Sequence, residues 1–387
     1  MDTPTGYDTE LLGLPLYDDA HRALAAEADA WCQAHHVLWD EVRTLDPHTA
    51  GRRLTRALGA AGWFTGLDPA PGARPTGLRE ICLRREILAH AEDLADFAYA
   101  IQALAATPLL RHGTEQQRAA WLPGLADGTR IGAFAVSEQE AGSDLAAVAL
   151  AAERQDDGSY VLDGRKAWIA NATIADVFVV IARTGPGPGA LGLSALLVPA
   201  DTPGLRVEPV AAIAPRSFGH LHFEDCRLPA EALLGRRGRG FVVAVDLLER
   251  FRTTVGAAAL GFARRAFDTA LAHTRARAAY GATLFDLQLV KGRLADMEIE
   301  LAAAGLLVAR AAWETDRGSR SFARHSNMAK VHATEAAQQV VDSAVQLMGA
   351  AGIVQDSITE RLYRQIRSLR LYEGPTEVLK TAIANSR

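Results

Sequence analysis

The composition of the chain changes twice along its length, and these two changes restrict the fold more than any other feature. Before about residue 130, apolar residues recur at offsets of three and four, and this spacing returns after Pro229. Between about 131 and 230, β-branched and aromatic residues alternate between glycine and aspartate turns. The first spacing is typical of helices and the second of half-buried strands. We therefore expect a helical domain at 1–130, a β domain at 131–233 and a helical bundle at 234–387.

In the first of these domains the helical spacing is broken by one loop signal. The stretch 68–75 is rich in proline and glycine and is predicted as a loop. Thr114, followed three residues later by Gln117, has the pattern of a helix N-cap. Helices are predicted over 19–31, 54–64 and 78–105 and from Thr114 to about Gly124.

The β domain contains one predicted hairpin and at least two further strands. Tyr160–Leu162 and Lys166–Trp168 flank an Asp-Gly pair, which favours a tight turn between two strands. Val177–Ile181 and Leu193–Val198 are predicted as strands. The stretch Gly185–Gly189 has the glycines of a dinucleotide-binding loop, but its prolines remove amide donors and no helix follows it. We interpret it as a surface loop.

Two apolar stripes dominate the C-terminal part of the chain. Each recurs at offsets of three and four, as expected for the buried face of a bundle helix, and Gly349 is a predicted helix stop. We assign both stripes to the core and place no site on them. Their members are Leu287, Val290, Leu294, Met297 and Leu301, then Met328, Val331, Ala337, Val340, Val341, Ala344 and Met348.

Bulk properties exclude several classes of function. A chain of 387 residues exceeds one ordinary core, and its net charge of -5 gives no basis for binding nucleic acid or an anionic membrane. Three scattered cysteines argue against a disulfide framework or a zinc site, so no metal is expected. The N-terminus lacks the features of a signal peptide, and no apolar run reaches membrane-spanning length, which favours the cytoplasm.

One carboxylate near the end of the chain stands at a helix-breaking sequence. Glu373 precedes Gly374 and Pro375 and follows an arginine-rich helical run. Glycine leaves room for a ligand to approach closely. A glutamate before Gly-Pro is also an ordinary helix-end residue, so this stretch alone does not establish a site.

Five stretches, in this order along the chain, resemble the acyl-CoA dehydrogenase family of flavoproteins. The resemblance covers nearly the whole chain and is weakest before about residue 100. The stretches are Arg111–Gly128, Phe134–Asp144, Leu162–Asn171, Arg277–Gly281 with Gln288, and Gln346–Gly352 leading to Tyr372–Gly374.

The resemblance implies an α+β multidomain fold, with an all-α N-terminal domain, a β-barrel-like middle domain and a C-terminal four-helix bundle. It also implies FAD as cofactor. The Phe134, Val136 and Ser137 region would bond the flavin's pyrimidine edge, and the Ala-Gly-Ser143 turn would approach its pyrophosphate and the substrate's pantetheine arm. The full set of implied cofactor residues is Phe134, Val136, Ser137, Gly142, Ser143, Trp168, Ala170, Arg277, Tyr280, Gln288, Gln346, Gly349 and Thr376.

In this family a carboxylate removes the α proton of an acyl thioester while the β hydrogen leaves as hydride to flavin N5. The resemblance assigns the carboxylate to Glu373 and implies substrate contacts from Ser143, Arg252, Tyr372 and Gly374. Burial opposite the flavin would raise the pKa of this carboxyl group and make it a better base. Some members place the base on an earlier helix, where this chain has Phe251, with Glu249 two residues out of place. Phe251 cannot act as a base.

Four positions depart from the family pattern. Ala170 replaces a Thr or Ser whose hydroxyl bonds flavin N5, and a hydrogen bond of this kind contributes about 0.5–1.5 kcal/mol. Gln139 stands in place of a proline, and Gln365 replaces an aspartate. Pro375 replaces a threonine and removes an amide donor beside the base.

These observations leave several readings open. The leading one is FAD-dependent α,β-dehydrogenation of an acyl-CoA. The Ser137–Ser143 pattern resembles members that act on carrier-protein thioesters in secondary metabolism, which is the first alternative. A flavin monooxygenase or nitroalkane oxidase on the same fold is the second, and Glu373 argues against it. A helical scaffold without catalysis is the third. The family implies electron-transfer flavoprotein as acceptor and a homo-oligomer, a dimer or a homotetramer.

Overall fold

The fold was analysed in a computed structural model, which describes residues 4–68, 75–187 and 189–386. The chain divides into two compact units that do not follow the sequence order. The first unit draws on Met1–Trp39, Gly77–Asp96 and Glu249–Arg387, and the second on Asp40–Thr76 and Phe97–Leu248. The division into domains at 130/131 and 233/234 stays a prediction.

Helices form most of the first unit and also occur in the second. Three of them, α3, α6 and α8, contain a boundary between the units, at residues 39/40, 96/97 and 248/249. The helices are α1 (Thr9–Leu12), α2 (Asp19–Ala34), α3 (His36–Arg43), α4 (Pro47–Ala60), α5 (Leu78–Ala91), α6 (Asp93–His112), α7 (Glu115–Ala126), α8 (Gly240–Ala276), α9 (Gln288–Asp316), α10 (Phe322–Met348), α11 (Ile358–Leu369) and α12 (Thr376–Asn385).

Capping side chains set several helix starts. The Thr114 hydroxyl accepts from the Gln117 amide at 3.1 Å, and the Gln117 side chain accepts from the Thr114 amide at 3.0 Å, so the predicted cap of α7 is confirmed. The single helix expected over 78–105 is wrong. Glu92 adopts extended backbone between α5 and α6, and the buried side chains of Glu92 and Asp93, the first residue of α6, both bind Arg361 at this break.

The second unit is built on an eight-stranded mixed sheet. Its order is β6-β7-β3-β2-β4-β5-β8, and β1 pairs in parallel with β4. The strands are β1 (Gly132–Ala135), β2 (Ala151–Arg154), β3 (Tyr160–Ala170), β4 (Val177–Arg183), β5 (Leu193–Pro199), β6 (Leu205–Val210), β7 (Phe218–Leu228) and β8 (Leu233–Leu234). A separate pair, β9 (Ala278–Ala279) and β10 (Ala282–Thr283), belongs to the first unit.

The predicted hairpin at Tyr160–Trp168 is wrong. Both halves belong to the one strand β3, which pairs along its length with β7. The pairing shifts register between Leu162 and Gly164, where two residues of β7 stand opposite Asp163, so the extra residue of the bulge lies on β7. Gly164 has a φ of 132°, and the Asp-Gly pair lies within the strand instead of forming a turn. The strands predicted at Val177–Ile181 and Leu193–Val198 are confirmed as β4 and β5. Both strands contribute buried side chains to the hydrophobic core of the second unit.

The loops predicted from proline and glycine lie partly outside the described residues. This applies to 69–74 of the stretch 68–75, and to residue 188 of the stretch Gly185–Gly189. Gly189 begins a short 3₁₀ turn that ends at Gly192.

In the first unit the two apolar stripes lie on α9 and α10, which pack against each other. Leu294, Met297 and Leu301 of α9 are buried, whereas Leu287 and Val290 are half-buried. Four members of the α10 stripe are buried (Ala337, Val340, Val341 and Ala344), and Gly349 ends the helix with a φ of 60°. A Cβ at Gly256 of α8 would lie 3.1 Å from Val308 of α9, so glycine permits close packing there. Within the part of the chain that the structure describes, no helix has the length and apolarity to cross a membrane.

Candidate active site

Glu373 lies in the short segment between α11 and α12. Its φ is +53°, a left-handed conformation that residues other than glycine rarely adopt, and Gly374 follows with a φ of +100°. Non-glycine residues held in this region cost about 1–3 kcal/mol and persist where surrounding contacts hold them. The backbone at Glu373 therefore depends on its neighbours in the fold.

Two cationic side chains from other helices supply those contacts. Arg252 of α8 donates from Nε to the Glu373 carbonyl oxygen at 3.0 Å. Lys330 of α10 donates from Nζ to the next carbonyl oxygen, that of Gly374, at 2.7 Å. A Cβ on Gly374 would lie 2.8 Å from the side chain of Leu379, so glycine is also required by packing.

The burial of Glu373 favours the protonated form of its carboxyl group. Its Oε2 atom is buried and has no hydrogen-bond partner among the described residues. Burial raises the pKa of Glu373 to about 7, while the charges of Arg85, Lys330 and Arg252 oppose the rise and Asp96 adds to it. A carboxylate with a pKa near neutrality suits a general base.

Arg85 is a buried cation that sequence reasoning did not identify, and its charge has the largest opposing effect on the pKa of Glu373. Its guanidinium forms a two-bond pair with Asp96 at 2.8 and 2.9 Å, and a further bond to the Thr254 hydroxyl at 2.9 Å. Both side chains of the pair are almost completely buried. The two partners therefore act on the pKa of Glu373 in opposite directions: the charge of Arg85 lowers it and the charge of Asp96 raises it.

The other residues predicted for this end of the site lie around the same segment. Arg252 also donates to the Asn327 side chain at 2.9 Å, which fixes its guanidinium. Tyr372 is half-buried and its field acts on Arg85. Thr376 is buried and donates its hydroxyl proton to Glu335 at 2.7 Å, so its predicted contact with FAD would have to use another atom or lone pair.

Pro375 is accommodated by the start of α12. It is the N-cap residue, with a φ of -63° and a ψ of 155°, both of which proline adopts without strain. The proline therefore ends the left-handed segment and starts the helix.

The alternative base position is not usable. Phe251 is buried in α8 and has no ionisable group, while Glu249 lies half-buried two residues earlier and acts on Arg252 through its charge. Neither residue occupies the left-handed segment where Glu373 lies.

In the second unit, the first stretch of predicted flavin residues begins within strand β1 and continues past its end. Phe134 and Val136 are buried, and the Ser137 carbonyl oxygen accepts from the Ala167 amide of β3 at 2.9 Å. Lys166 of β3 donates to the Val136 carbonyl oxygen at 2.8 Å. The structure thus joins the two stretches that the sequence assigned to the flavin.

Trp168 occupies a second irregularity of β3. Its φ is 55°, in a place where the pairing with β7 shifts register between Lys166 and Ile169. Its amide donates to Nδ1 of His220 on β7 at 3.2 Å, and the two rings meet edge to face with centroids 6.0 Å apart. The indole is 53% exposed, which leaves a face available to a ligand.

The flavin-side residues fit an FAD whose pyrimidine edge and phosphates they would hold. The Ser137 hydroxyl has no hydrogen-bond partner within the described ranges, and Gly142 and Ser143 are exposed. A Cβ added at Gly142 would meet no atom within 4 Å, so the backbone there is open to a large group. Ala170 is half-buried and pairs with Phe218, and its methyl group provides no donor.

The residues implied for the far half of FAD lie on the surface of the first unit. Tyr280 is 93% exposed, and its φ is 53° in the turn between β9 and β10. The other four, Arg277, Gln288, Gln346 and Gly349, are exposed as well. Their contact with FAD on a neighbouring subunit stays a prediction.

Four buried or inward-facing groups were missed by sequence reasoning: Lys166, Lys330, Arg85 and His220. The chain contains only four lysines, and two of these are 0% exposed. A lysine within an apolar helical stripe was a usable signal for Lys330, because lysine is almost never fully buried without a partner. No sequence pattern pointed to His220, whose partner is set by the pairing of β3 with β7.

Within the described residues, no group of three or more His, Cys, Asp and Glu side chains is arranged to hold a metal ion. The three cysteines are buried and free.

Comparison with known proteins places the whole chain in one family. Three family models match: the acyl-CoA dehydrogenase N-terminal domain at 18–129, middle domain at 133–226 and C-terminal domain at 238–386. The human mitochondrial short-chain specific acyl-CoA dehydrogenase is 40% identical over 280 residues, which are 72% of this chain and 68% of that protein.

Solved structures agree with the sequence comparison. Butyryl-CoA dehydrogenase from Megasphaera elsdenii has a TM-score of 0.87 at 27% identity, covering 95% of this chain and 98% of that one. The prolyl acyl carrier protein oxidase AnaB has a TM-score of 0.87 at 26% identity, covering 96% and 99%. The expected fold, enzyme class (oxidoreductase) and cofactor (FAD) are those of this family. The chain belongs to the acyl-CoA dehydrogenase family.

Proposed function

We propose that this chain catalyses the FAD-dependent α,β-dehydrogenation of an acyl-CoA thioester, with Glu373 as the base that removes the α proton. The observation that carries the proposal is the Glu373 carboxylate, which has a buried, unpartnered oxygen and a pKa raised to about 7. A base of this pKa is largely ionised at slightly alkaline pH and still holds a proton firmly after abstraction.

The residues around Glu373 have separate tasks in this reaction. Bound FAD supplies the hydride acceptor. The Glu373 amide would donate to the thioester carbonyl oxygen, which gains negative charge as the proton leaves. Arg252 holds the carbonyl oxygen of Glu373 and so fixes the peptide group that follows the base. In the second unit, Ser137, Gly142, Ser143 and Trp168 would hold the flavin, and Ala170 would leave the N5 region without a side-chain hydroxyl.

The direct test is a thioester panel with an artificial dye acceptor, run on the wild type and Glu373→Gln. We expect turnover of short acyl-CoAs by the wild type, because the curated and solved relatives include short-chain and butyryl-CoA enzymes. Glu373→Gln should lose at least about 10³-fold in kcat while retaining FAD. Undiminished turnover in this variant would reject Glu373 as the base.

A second candidate is the oxidation of an acyl group bound to a carrier protein. It is favoured by the similarity to a prolyl acyl carrier protein oxidase and by the Ser137–Ser143 pattern. Both thioesters would use the same base. Rapid turnover of acyl-CoAs with negligible turnover of the same acyl groups on a carrier protein would reject it.

The remaining functional assignments rest on the family. We propose electron-transfer flavoprotein as the physiological acceptor. We also propose a homo-oligomer, a dimer or a homotetramer, because the exposed residues from Arg277 to Gly349 would reach FAD in a neighbouring chain. The cytoplasmic location and a role in secondary metabolism stay predictions.

A further inference from the structure

We propose that Lys330 is a positioning residue for the catalytic base: its ammonium group holds the Gly374 carbonyl oxygen and thereby stabilises the left-handed segment Glu373–Gly374 that carries the base. The inference rests on the proposed role of Glu373. None of the residues assigned from the sequence has this function, and Lys330 is not among them.

The geometry around the segment supports this role. Lys330 is 0% exposed, and its Nζ lies 2.7 Å from the Gly374 oxygen. Arg252 binds the preceding carbonyl oxygen at 3.0 Å. Two consecutive carbonyl groups are therefore each held by a cation from a different helix, α10 for one and α8 for the other. Arg252 therefore fixes the peptide group that joins Glu373 to Gly374, and Lys330 fixes the next one, from Gly374 to Pro375. These two peptide groups follow the two residues with positive φ, Glu373 and Gly374.

A buried ammonium group is costly unless it is paired, so its retention here requires a compensating interaction. Burial lowers the pKa of Lys330 to about 8, and the charge of Glu373 opposes this. The Gly374 oxygen is the sole hydrogen-bond acceptor of Nζ among the described residues. An ammonium group has three donors, and the one hydrogen bond of the Lys330 ammonium within the described residues is to a backbone carbonyl group next to the base.

The charged groups around Glu373 and Lys330 predict how removal of Lys330 should change the pKa of Glu373. Glu373 is faced by Arg85 of α5, Asp96 of α6, Arg252 of α8 and Lys330 of α10. Lys330 is faced by Glu373, Arg252, Glu335 and Arg370. Loss of the Lys330 charge removes one of three cations that lower the pKa of Glu373, so this pKa should rise. The base is then protonated to a higher pH.

The test compares the FAD-loaded wild type with Lys330→Met, which conserves length and apolar volume but removes the donor and the charge. Lys330→Gln, whose side chain is too short to reach the Gly374 oxygen, is a second variant that keeps the position polar. Thr334→Val is the matched control: the Thr334 hydroxyl donates to the Lys330 backbone oxygen at 2.9 Å, one turn away on the same helix, and does not touch the Glu373 segment.

Two readouts separate positioning from general damage to the helix. The first is the rate of flavin bleaching by butyryl-CoA under anaerobic conditions, measured from about pH 5.5 to 9. The second is hydrogen–deuterium exchange of the peptide spanning 370–379. In the Lys330 variants we expect the acid limb of the pH profile of the bleaching rate to move to higher pH by about one unit. The rate at neutral pH should then be about tenfold lower. Hydrogen exchange across 370–379 should be faster. Thr334→Val should show neither change.

The result that would overturn the proposal is an acid limb and an exchange rate in both Lys330 variants equal to those of Thr334→Val. Glu373→Gln, measured in parallel, separates this failure from failure of the proposed function. If Glu373→Gln abolishes bleaching but the Lys330 variants are unchanged, Glu373 is the base and Lys330 does not position it. If Glu373→Gln bleaches at the wild-type rate, the proposed base itself is wrong.

Discussion

Lys166 and Glu138 form a buried ion pair, with Nζ and Oε1 at 2.8 Å, directly beside the predicted flavin residues. Lys166 is 0% exposed and also bonds the Val136 carbonyl oxygen, while Glu138 accepts the amides of Ala149 and Leu150 at 2.8 and 2.9 Å. One ion pair therefore ties the end of β1 to β3 and to the segment before β2.

Removal of one partner should expose the dependence of FAD binding on this pair. In Lys166→Met the Glu138 carboxylate stays buried without its cation, and we expect the free energy of unfolding to fall by about 3–5 kcal/mol. FAD content should also fall, because Val136 loses its anchor. Urea unfolding and the flavin-to-protein ratio measure the two effects.

The double variant Lys166→Met, Glu138→Gln is the control for this prediction. It removes both charges, although the single oxygen of glutamine can accept only one of the two amides, so it should recover part but not all of the lost stability. Equal stability of the single and double variants would contradict the ion-pair explanation.

The Arg85–Asp96 pair leads to a second prediction, in which stability and pKa change together. Asp96→Asn leaves the buried guanidinium with a neutral partner and should cost about 3–5 kcal/mol in free energy of unfolding. It also removes an anion that raises the pKa of Glu373, so the acid limb of activity should move to lower pH. Denaturant unfolding and the pH profile of kcat measure these changes.

A surface pair provides the comparison. Arg22 and Asp19 lie at 2.7 Å but are 42% and 100% exposed, so Asp19→Asn should change stability by less than about 1 kcal/mol. If Asp19→Asn and Asp96→Asn were equally mild, burial would not be the source of the effect.

The raised pKa of Glu373 predicts a stability that depends on pH. A carboxyl group whose pKa is about 7 when folded and 4.5 when unfolded binds more protons in the folded state between these values. Its contribution to stability is therefore full below about pH 4.5 and is lost as the pH rises through about 7. Glu373→Gln cannot ionise, so it should be more stable than the wild type at pH 8, by about 2–3 kcal/mol.

Chemical unfolding at pH 5 and pH 8 checks this prediction, with both proteins at the same FAD occupancy. The difference between variant and wild type should grow with pH. A difference that is constant across this range would mean that the Glu373 carboxyl group does not titrate differently in the folded and unfolded chains.

The contact between Trp168 and His220 predicts a specific role for one ring nitrogen. Nδ1 of His220 accepts the Trp168 amide, so it must be unprotonated and the proton must lie on Nε2. In His220→Leu the acceptor is lost, and we expect FAD affinity to fall by about 2–10-fold, as for one ordinary hydrogen bond. FAD titration of the apoprotein, followed by tryptophan fluorescence, measures it.

His220→Asn is the informative partner variant. The asparagine Oδ1 can take the place of Nδ1 as acceptor, so the Asn variant should bind FAD more tightly than the Leu variant. Equal weakening in both would assign the effect to the ring packing with Trp168 and not to the hydrogen bond.

Local patterns predicted the class of most segments, and the family resemblance predicted Glu373 as the base. The spacing of apolar residues predicted α9 and α10, and the alternation of β-branched residues predicted β4 and β5, because these periods follow from backbone geometry alone. The stretch around Glu373 was identified because it is part of a set of five stretches that resemble the family and occur in the family's order. The same local signals misjudged Asp163 and Gly164, since an Asp-Gly pair can also lie within a strand opposite a bulge, and only the pairing with β7 shows this.

The electrostatics of the site were decided by the tertiary structure. Glu373, Arg252, Lys330 and Arg85 lie far apart in sequence, and their approach depends on how α5, α8 and α10 pack. The sequence by itself determined that a glutamate precedes Gly-Pro at the end of a helical run. Only the fold determined that this glutamate has a left-handed backbone, a buried oxygen and a pKa near 7, because burial and neighbouring charge are properties of packing and not of spacing.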